Sequence, residues 1–136
     1  MTVHFTIALE PRTKKNSGRI VRGRLIPSAA YEQYEKDCRI YLRPCPVREP
    51  ITRPVNVKAV YFMKAYKNGK HRKVDLNNLH NALHDVLVEY GILLDDNSDI
   101  VAATDGSRVL WDNQHPRTVI TIKPIAVVDT WGEGHG

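Results

Sequence analysis

Apolar and polar positions recur along the chain in patterns that name its elements in turn. Val3 to Leu9 is rich in β-branched and apolar residues and reads as a first strand, ended by Pro11. Arg12 to Gly18 is a polar loop, and Arg19 to Ile26 carries short apolar pairs around Gly23, the pattern of a small hairpin. Pro27-Ser28 supplies a stop followed by a helix N-cap. Tyr31, Tyr34, Cys38, Tyr41 and Leu42 then recur at spacings of three and four, which puts an apolar face on a helix from about Ala29 to Leu42.

Pro44, Pro46, Pro50 and Pro54 mark an extended connection, after which Val55, Val57, Ala59 and Tyr61 alternate as a second long strand does. Tyr66 to Lys73 is a strongly basic loop with a turn signal at Asn68-Gly69. Leu76, Leu79, Leu83, Val86, Leu87 and Tyr90 form a sustained helical stripe, with Asp75 as N-cap and Gly91 as C-terminal stop. Ile100 to Ala103 and Arg108 to Trp111 are short strands around Asp105-Gly106, and Thr118 to Lys123 alternates as the last strand. The expected fold is α+β: a single small domain in which a mixed β-sheet is packed by two main helices. No internal repeat is present.

Composition changes this picture little. A chain of 136 residues that is 42% apolar supports one core and is too short for two domains. The division expected is a domain over 1–124 and a Gly-rich C-terminal tail over 125–136. Twenty Lys and Arg against 15 Asp and Glu leave a charge of +5, which favours an anionic partner without naming one. The start lacks a signal-peptide pattern, and no run approaches the roughly 20 apolar residues of a membrane span, so a cytoplasmic protein is expected. Cys38 and Cys45 stand in no metal or redox spacing and read as reduced packing residues.

The candidate chemistry is carboxylate chemistry. Taken alone, Asp75 is a helix cap and Asp95-Asp96 a solvated turn. Two adjacent carboxylates repel each other, however, and a bound cation would offset that repulsion. Lys14, Lys15, Arg19, Arg22 and Arg24 form one basic cluster, and Lys64, Lys67, Lys70, Arg72 and Lys73 a second. Acidic ligands repel a phosphate backbone unless cations flank them, so basic and acidic groups together suit a nuclease. His80 and His84 are four apart, a zinc-compatible spacing. They lie off the Leu stripe without a convincing third ligand, so partly exposed surface positions are expected. Tyr66 and Phe62 are candidates to stack on an unpaired base, with burial in the sheet as the alternative.

Val74-Asp75-Leu76-Asn77-Asn78-Leu79, followed by Gly91-Ile92-Leu93-Leu94-Asp95-Asp96-Asn97, resembles the RusA family of Holliday junction resolvases in order and spacing, with Asp85 on the family's internal acidic position. Pro11-Arg12-Thr13-Lys14-Lys15-Asn16-Ser17 resembles its N-terminal loop, and Asp105-Gly106-Ser107-Arg108 a motif of phage-type members. The resemblance implies a magnesium-dependent endodeoxyribonuclease, with manganese as a substitute ion, that cuts branched DNA and four-way junctions as a homodimer in recombination and repair. It also implies a phage or prophage origin in a bacterial host. Asp75 and Asp96 would be the main ligands, with Asp95, Asn77 and Asp105 completing the catalytic set and Asp75, Asp96, Asp95 and Asn77 the metal set. Lys14, Lys15, Asn16, Arg19, Lys70, Arg72, Lys73 and Arg108 would contact DNA. Two positions depart from the family: Asn77 stands where some members carry Asp, and Asn81 where some carry Lys. Asp105 is the candidate to offset the first, and Lys73 or Lys14 the second. A catalytically impaired DNA-binding protein and a phage interaction protein that binds no DNA are the alternatives.

Chain reach adds one expectation. A helix from Leu76 to Tyr90 is about 22 Å long, and the segment from Gly91 to Asp96 returns at most roughly 16 Å. Asp75 and Asp96 of one chain therefore should not share a cation. Two helices packed antiparallel through Leu79, Leu83 and Val86 would bring each Asp75 to the partner's Asp96.

Overall fold

The computed structural model describes residues 2–14, 19–26, 28–71 and 73–126, with backbone alone at 19–21 and 25. The elements run β1 (Val3–Ile7), β2 (Arg19–Val21), β3 (Arg24–Ile26), α1 (Ala29–Leu42), β4 (Val55–Met63), α2 (Leu76–Glu89), β5 (Val101–Ala103), β6 (Arg108–Trp111) and β7 (Arg117–Pro124). The two helices begin where their capping residues stand. Ser28 accepts from the Tyr31 amide at 3.1 Å, and Asp75 accepts from the Asn77 amide at 2.8 Å. Gly91, with φ of 76°, reverses the chain after α2, which lets the Ile92 amide donate to the Leu87 carbonyl at 2.8 Å.

The main sheet is mixed, as the sequence pattern implied. β7 lies antiparallel between β1 and β4, and the other edge of β4 carries β5 and β6 in turn, both parallel to it. β2 and β3 form the separate hairpin. Alternation sorts the sheet into two faces. Val55, Val57, Ala59, Tyr61 and Met63 of β4 are buried with Thr118, Ile120 and Ile122 of β7, while Lys58, Val60 and Phe62 point the other way. The buried face meets Tyr31, Tyr34, Cys38 and Leu42 of α1 and Leu79, Leu83, Val86 and Leu87 of α2 in one core. Cys38 is one of those core residues, its thiol pushed up to about 12 by burial, and both cysteines are free.

Two expectations fail here. His80 and His84 are not surface residues: they are 6% and 7% exposed, their rings stacked at 5.4 Å, and the Tyr61 hydroxyl lies 2.7 Å from Nδ1 of His80. The buried face of α2 is wider than its leucine stripe, because Tyr61 on the sheet meets His80 beside that stripe. Leu79, Leu83 and Val86 are also unavailable as a face between two copies, since this chain's own core buries them almost completely.

Candidate carboxylate site

α2 sets the distances. β4 ends at Met63, the chain passes through the basic loop, and α2 then runs back so that its C-terminal end returns to the start of β4. There the Ile51 amide donates to the Ile92 carbonyl at 2.9 Å and the Leu94 amide to the Ile51 carbonyl at 3.1 Å. Further along, the Val55 amide donates to the Ile100 carbonyl at 2.8 Å. The Asp95-Asp96-Asn97 loop is thus pinned at both ends to the segment entering β4. Its interior is folded by short-range bonds: Asp95 Oδ1 accepts from the Asp96 amide at 2.7 Å, Asn97 Oδ1 from the Asp99 amide at 2.9 Å, and the Asn97 carbonyl from the Val101 amide at 2.8 Å.

This loop borders a cavity of about 380 Å³ lined by Lys14, Glu35, Asp85, Val88, Glu89, Asp95 and Asp96. Five carboxylates face one described ammonium, Lys14, whose Nζ donates to Asp85 Oδ2 at 2.6 Å. The crowding is felt at Asp96. Partial desolvation, its hydrogen bond with Asp95 and the charge of Asp85 raise its carboxyl above the ordinary range, opposed by a backbone hydrogen bond. Such a site gains by taking up positive charge. Among the described residues, no three acid, His or Cys side chains of the single chain are arranged to hold a metal ion.

The structure therefore brings together Asp95 and Asp96, and adds Asp85 and Lys14 to them. It does not bring Asp75, Asn77 or Asp105 to that cavity. Asp75 and Asn77 are exposed at the start of α2, about 15 Å and about 12 Å along the helix axis from Asp85. Asp105 sits at the break between β5 and β6. There its amide donates to Asn56 Oδ1 at 2.7 Å and its carbonyl accepts from Asn56 Nδ2 at 3.1 Å. Glu35 and Glu89 also line the cavity, and no motif or spacing in the sequence singles them out.

The basic loop after β4 is folded against the sheet's end. Tyr66 and Lys70 close a turn at 2.8 Å, and the His71 ring lies flat on Trp111 at 3.9 Å and 6°. Lys64, Lys67, Lys70 and Lys73 are exposed around it, at the end of the molecule where Asp75 stands. Tyr66 is exposed, while Phe62 is half-buried beneath Arg117 at 3.7 Å. Lys15, Asn16, Arg72, the side chain of Arg19 and tail residues 127–136 lie outside the described residues.

Residues 8–123 match the family model for the endodeoxyribonuclease RusA, a span that includes every element except β1 and the last residue of β7. The chain belongs to the RusA endodeoxyribonuclease family. Membership supports a nuclease, of a family that acts on branched DNA. A search of proteins of curated function returns no match. No helix among the described residues is long and apolar enough to cross a membrane.

Proposed function

We propose that the protein is a structure-selective endonuclease that resolves four-way DNA junctions by metal-assisted hydrolysis, with paired active sites in a homodimer. The observation that carries this reading is the carboxylate cavity at Asp95-Asp96, where five carboxylates meet and where partial desolvation, the bond to Asp95 and the charge of Asp85 raise the Asp96 carboxyl. Its donors are hard oxygens, the type magnesium prefers. Asp96, Asp95 and Asp75, with the Asn77 amide oxygen, would hold the ion, which when bound neutralises phosphate oxygens and makes water a stronger nucleophile at neutral pH. Because α2 separates Asp75 from Asp96 within a chain, each site takes Asp75 from one protomer and the partner's Asp96. The surface that joins the protomers is not the leucine stripe.

Lys14 is placed to orient a phosphoryl oxygen beside these carboxylates and to offset charge that develops there. The exposed lysines from Lys64 to Lys73 draw in the DNA backbone next to Asp75. The cytoplasm of a bacterial host, for a phage- or prophage-encoded protein, is the location that fits this role.

The test is incubation of the pure protein with a labelled four-way junction and matched duplex, with magnesium, manganese, calcium or EDTA. Symmetric nicks near the branch point in magnesium or manganese are expected, with binding but little cutting in calcium. Binding without cutting in every ion would favour a binding protein whose site was lost at Asn77 and Asn81, and absence of binding would favour an interaction protein.

A further inference from the structure

The sheet has one face against the helices and one with no described element packed on it. Registers place the open-face residues in rows across the strands. Lys123 is beside Asn56; His4, Thr121 and Lys58 follow; then Thr6, Val119, Val60 and Arg108; then Arg117, Phe62 and Leu110. Rows on one face of a strand repeat every ~6.8 Å, so the patch extends ~20 Å along the strands. That is the length of roughly six steps of a duplex at 3.4 Å each.

Its charge is one-sided. Lys58, Arg108, Arg117 and Lys123 bring four cations, and none of these strand positions carries a carboxylate. Lys58, Arg108 and Lys123 are exposed. Arg117 is the exception, held by Asp112 at the rim at 2.9 Å and lying on Phe62. Lys58 is the best held of the exposed cations, because its stem runs across Gly106. A Cβ there would stand 3.1 Å from Lys58 Cδ, and the φ of +87° also suits glycine. A side chain at that position would push the lysine off the face.

The apolar residues between the cations, Val60, Val119 and Phe62, are only half-buried. An apolar face of this kind could be covered by a second copy of the chain, but a two-fold contact would set these like charges against one another. A polyanion meets no such repulsion. The carboxylate cavity, by contrast, is bordered by residues of α1, α2 and the loops after β1 and α2. The two surfaces carry opposite charge.

We infer that the open sheet face, through Lys58, Lys123 and Arg108, binds the phosphate backbone of a DNA duplex arm independently of sequence. This rests on the nuclease reading for its ligand. It adds a contact surface separate from the basic loops.

The test uses the full chain in EDTA, where the metal-dependent reaction is suppressed. Affinity for a fluorescent 20-base-pair duplex is measured by anisotropy across a salt series for wild type and for the Lys58→Gln/Lys123→Gln double variant. Each lost phosphate contact lowers the slope of log K against log salt by about 0.9, so a drop of about 1.8 is expected, with binding at 0.1 M salt weakened by tens of fold. Lysine acetylation of wild type, read by mass spectrometry, needs no variant: duplex should protect Lys58 and Lys123. An unchanged slope, or equal labelling with and without duplex, overturns the inference. So does protection without DNA that rises with protein concentration, which assigns the face to a second copy. A protein that cuts junctions yet shows no slope change loses this inference alone. One that shows the slope change and protection but never cuts a junction in magnesium or manganese loses the function reading alone.

Discussion

Lys14 donates to Asp85 across 71 positions of sequence, tying the loop after β1 to the third turn of α2 at 2.6 Å. Both side chains keep substantial exposure, 39% and 41%, so water screens the pair. Replacing Lys14 with Gln should lower stability by less than about 1 kcal/mol, measured by urea denaturation. The same change should weaken junction binding several-fold, measured by anisotropy. A large stability loss with unchanged binding would make Lys14 a structural residue.

The composite active site predicts complementation. Asp75→Asn and Asp96→Asn proteins should each bind junctions and fail to cut. Mixed under conditions where subunits exchange, they should recover nicking at one of the two strands, because a heterodimer holds one intact pair. A dead mixture with exchange demonstrated by labelled subunits removes the shared site.

Asp96 links the cavity to pH. Its carboxyl is raised in the folded state, so the folded protein binds more protons than the unfolded chain between the ordinary value and the raised one. Stability therefore falls as pH rises through that window. In EDTA, Asp96→Asn should raise the melting temperature at pH 7 and give no gain at pH 3. For wild type, magnesium should stabilise at pH 7, by about 2.7 kcal/mol at a hundredfold excess over Kd. Asp96→Asn should lose most of that gain.

His84 works in the opposite sense. Burial and the neighbouring His80 hold it down to about 4, against a small opposing pull from Asp85. The unfolded chain thus takes up the proton first as pH falls below 6.5. Stability is lost progressively from pH 6.5 to about 4, by on the order of 2 to 3 kcal/mol. His84→Leu should flatten that stretch of the pH-stability curve, read by chemical denaturation at a series of pH values.

Asn56 and Asp105 separate a backbone role from a carboxylate role. Both hydrogen bonds between them use the Asp105 backbone and the Asn56 side chain. Asn56→Ala should cost about 1 to 2 kcal/mol and Asp105→Ala less. If Asp105→Ala abolishes cleavage while leaving stability intact, its carboxylate belongs to the catalytic set after all.

Local signals in the sequence were readable because they are chemically local. Ser28, Asp75 and Gly91 each mark a helix end by a bond or torsion within a few residues, and the alternation of Val55, Val57, Ala59 and Tyr61 marks a core face. The histidines were misread because periodicity gives the direction of a helix's apolar stripe but not the breadth of what packs on it. Lys14 with Asp85, and Lys58 with Gly106, are meetings across long stretches of chain. Alternation says that Lys58 and Lys123 leave the core, but only strand order places them on one surface. The acidic loop was legible as a motif, while its separation from Asp75 followed from the length of α2.

The break at Asp105-Gly106 has a consequence for solubility. It divides the outer edge of the sheet into strands of three and four residues, and where the ladder is interrupted the Asn56 side chain of β4 bonds the Asp105 backbone and the Ser107 hydroxyl accepts from the Ala59 amide of β4. A longer, flat edge would offer a template for strand addition by another chain. Dividing the edge limits that hazard, so straightening the break by deleting Gly106 should favour aggregation.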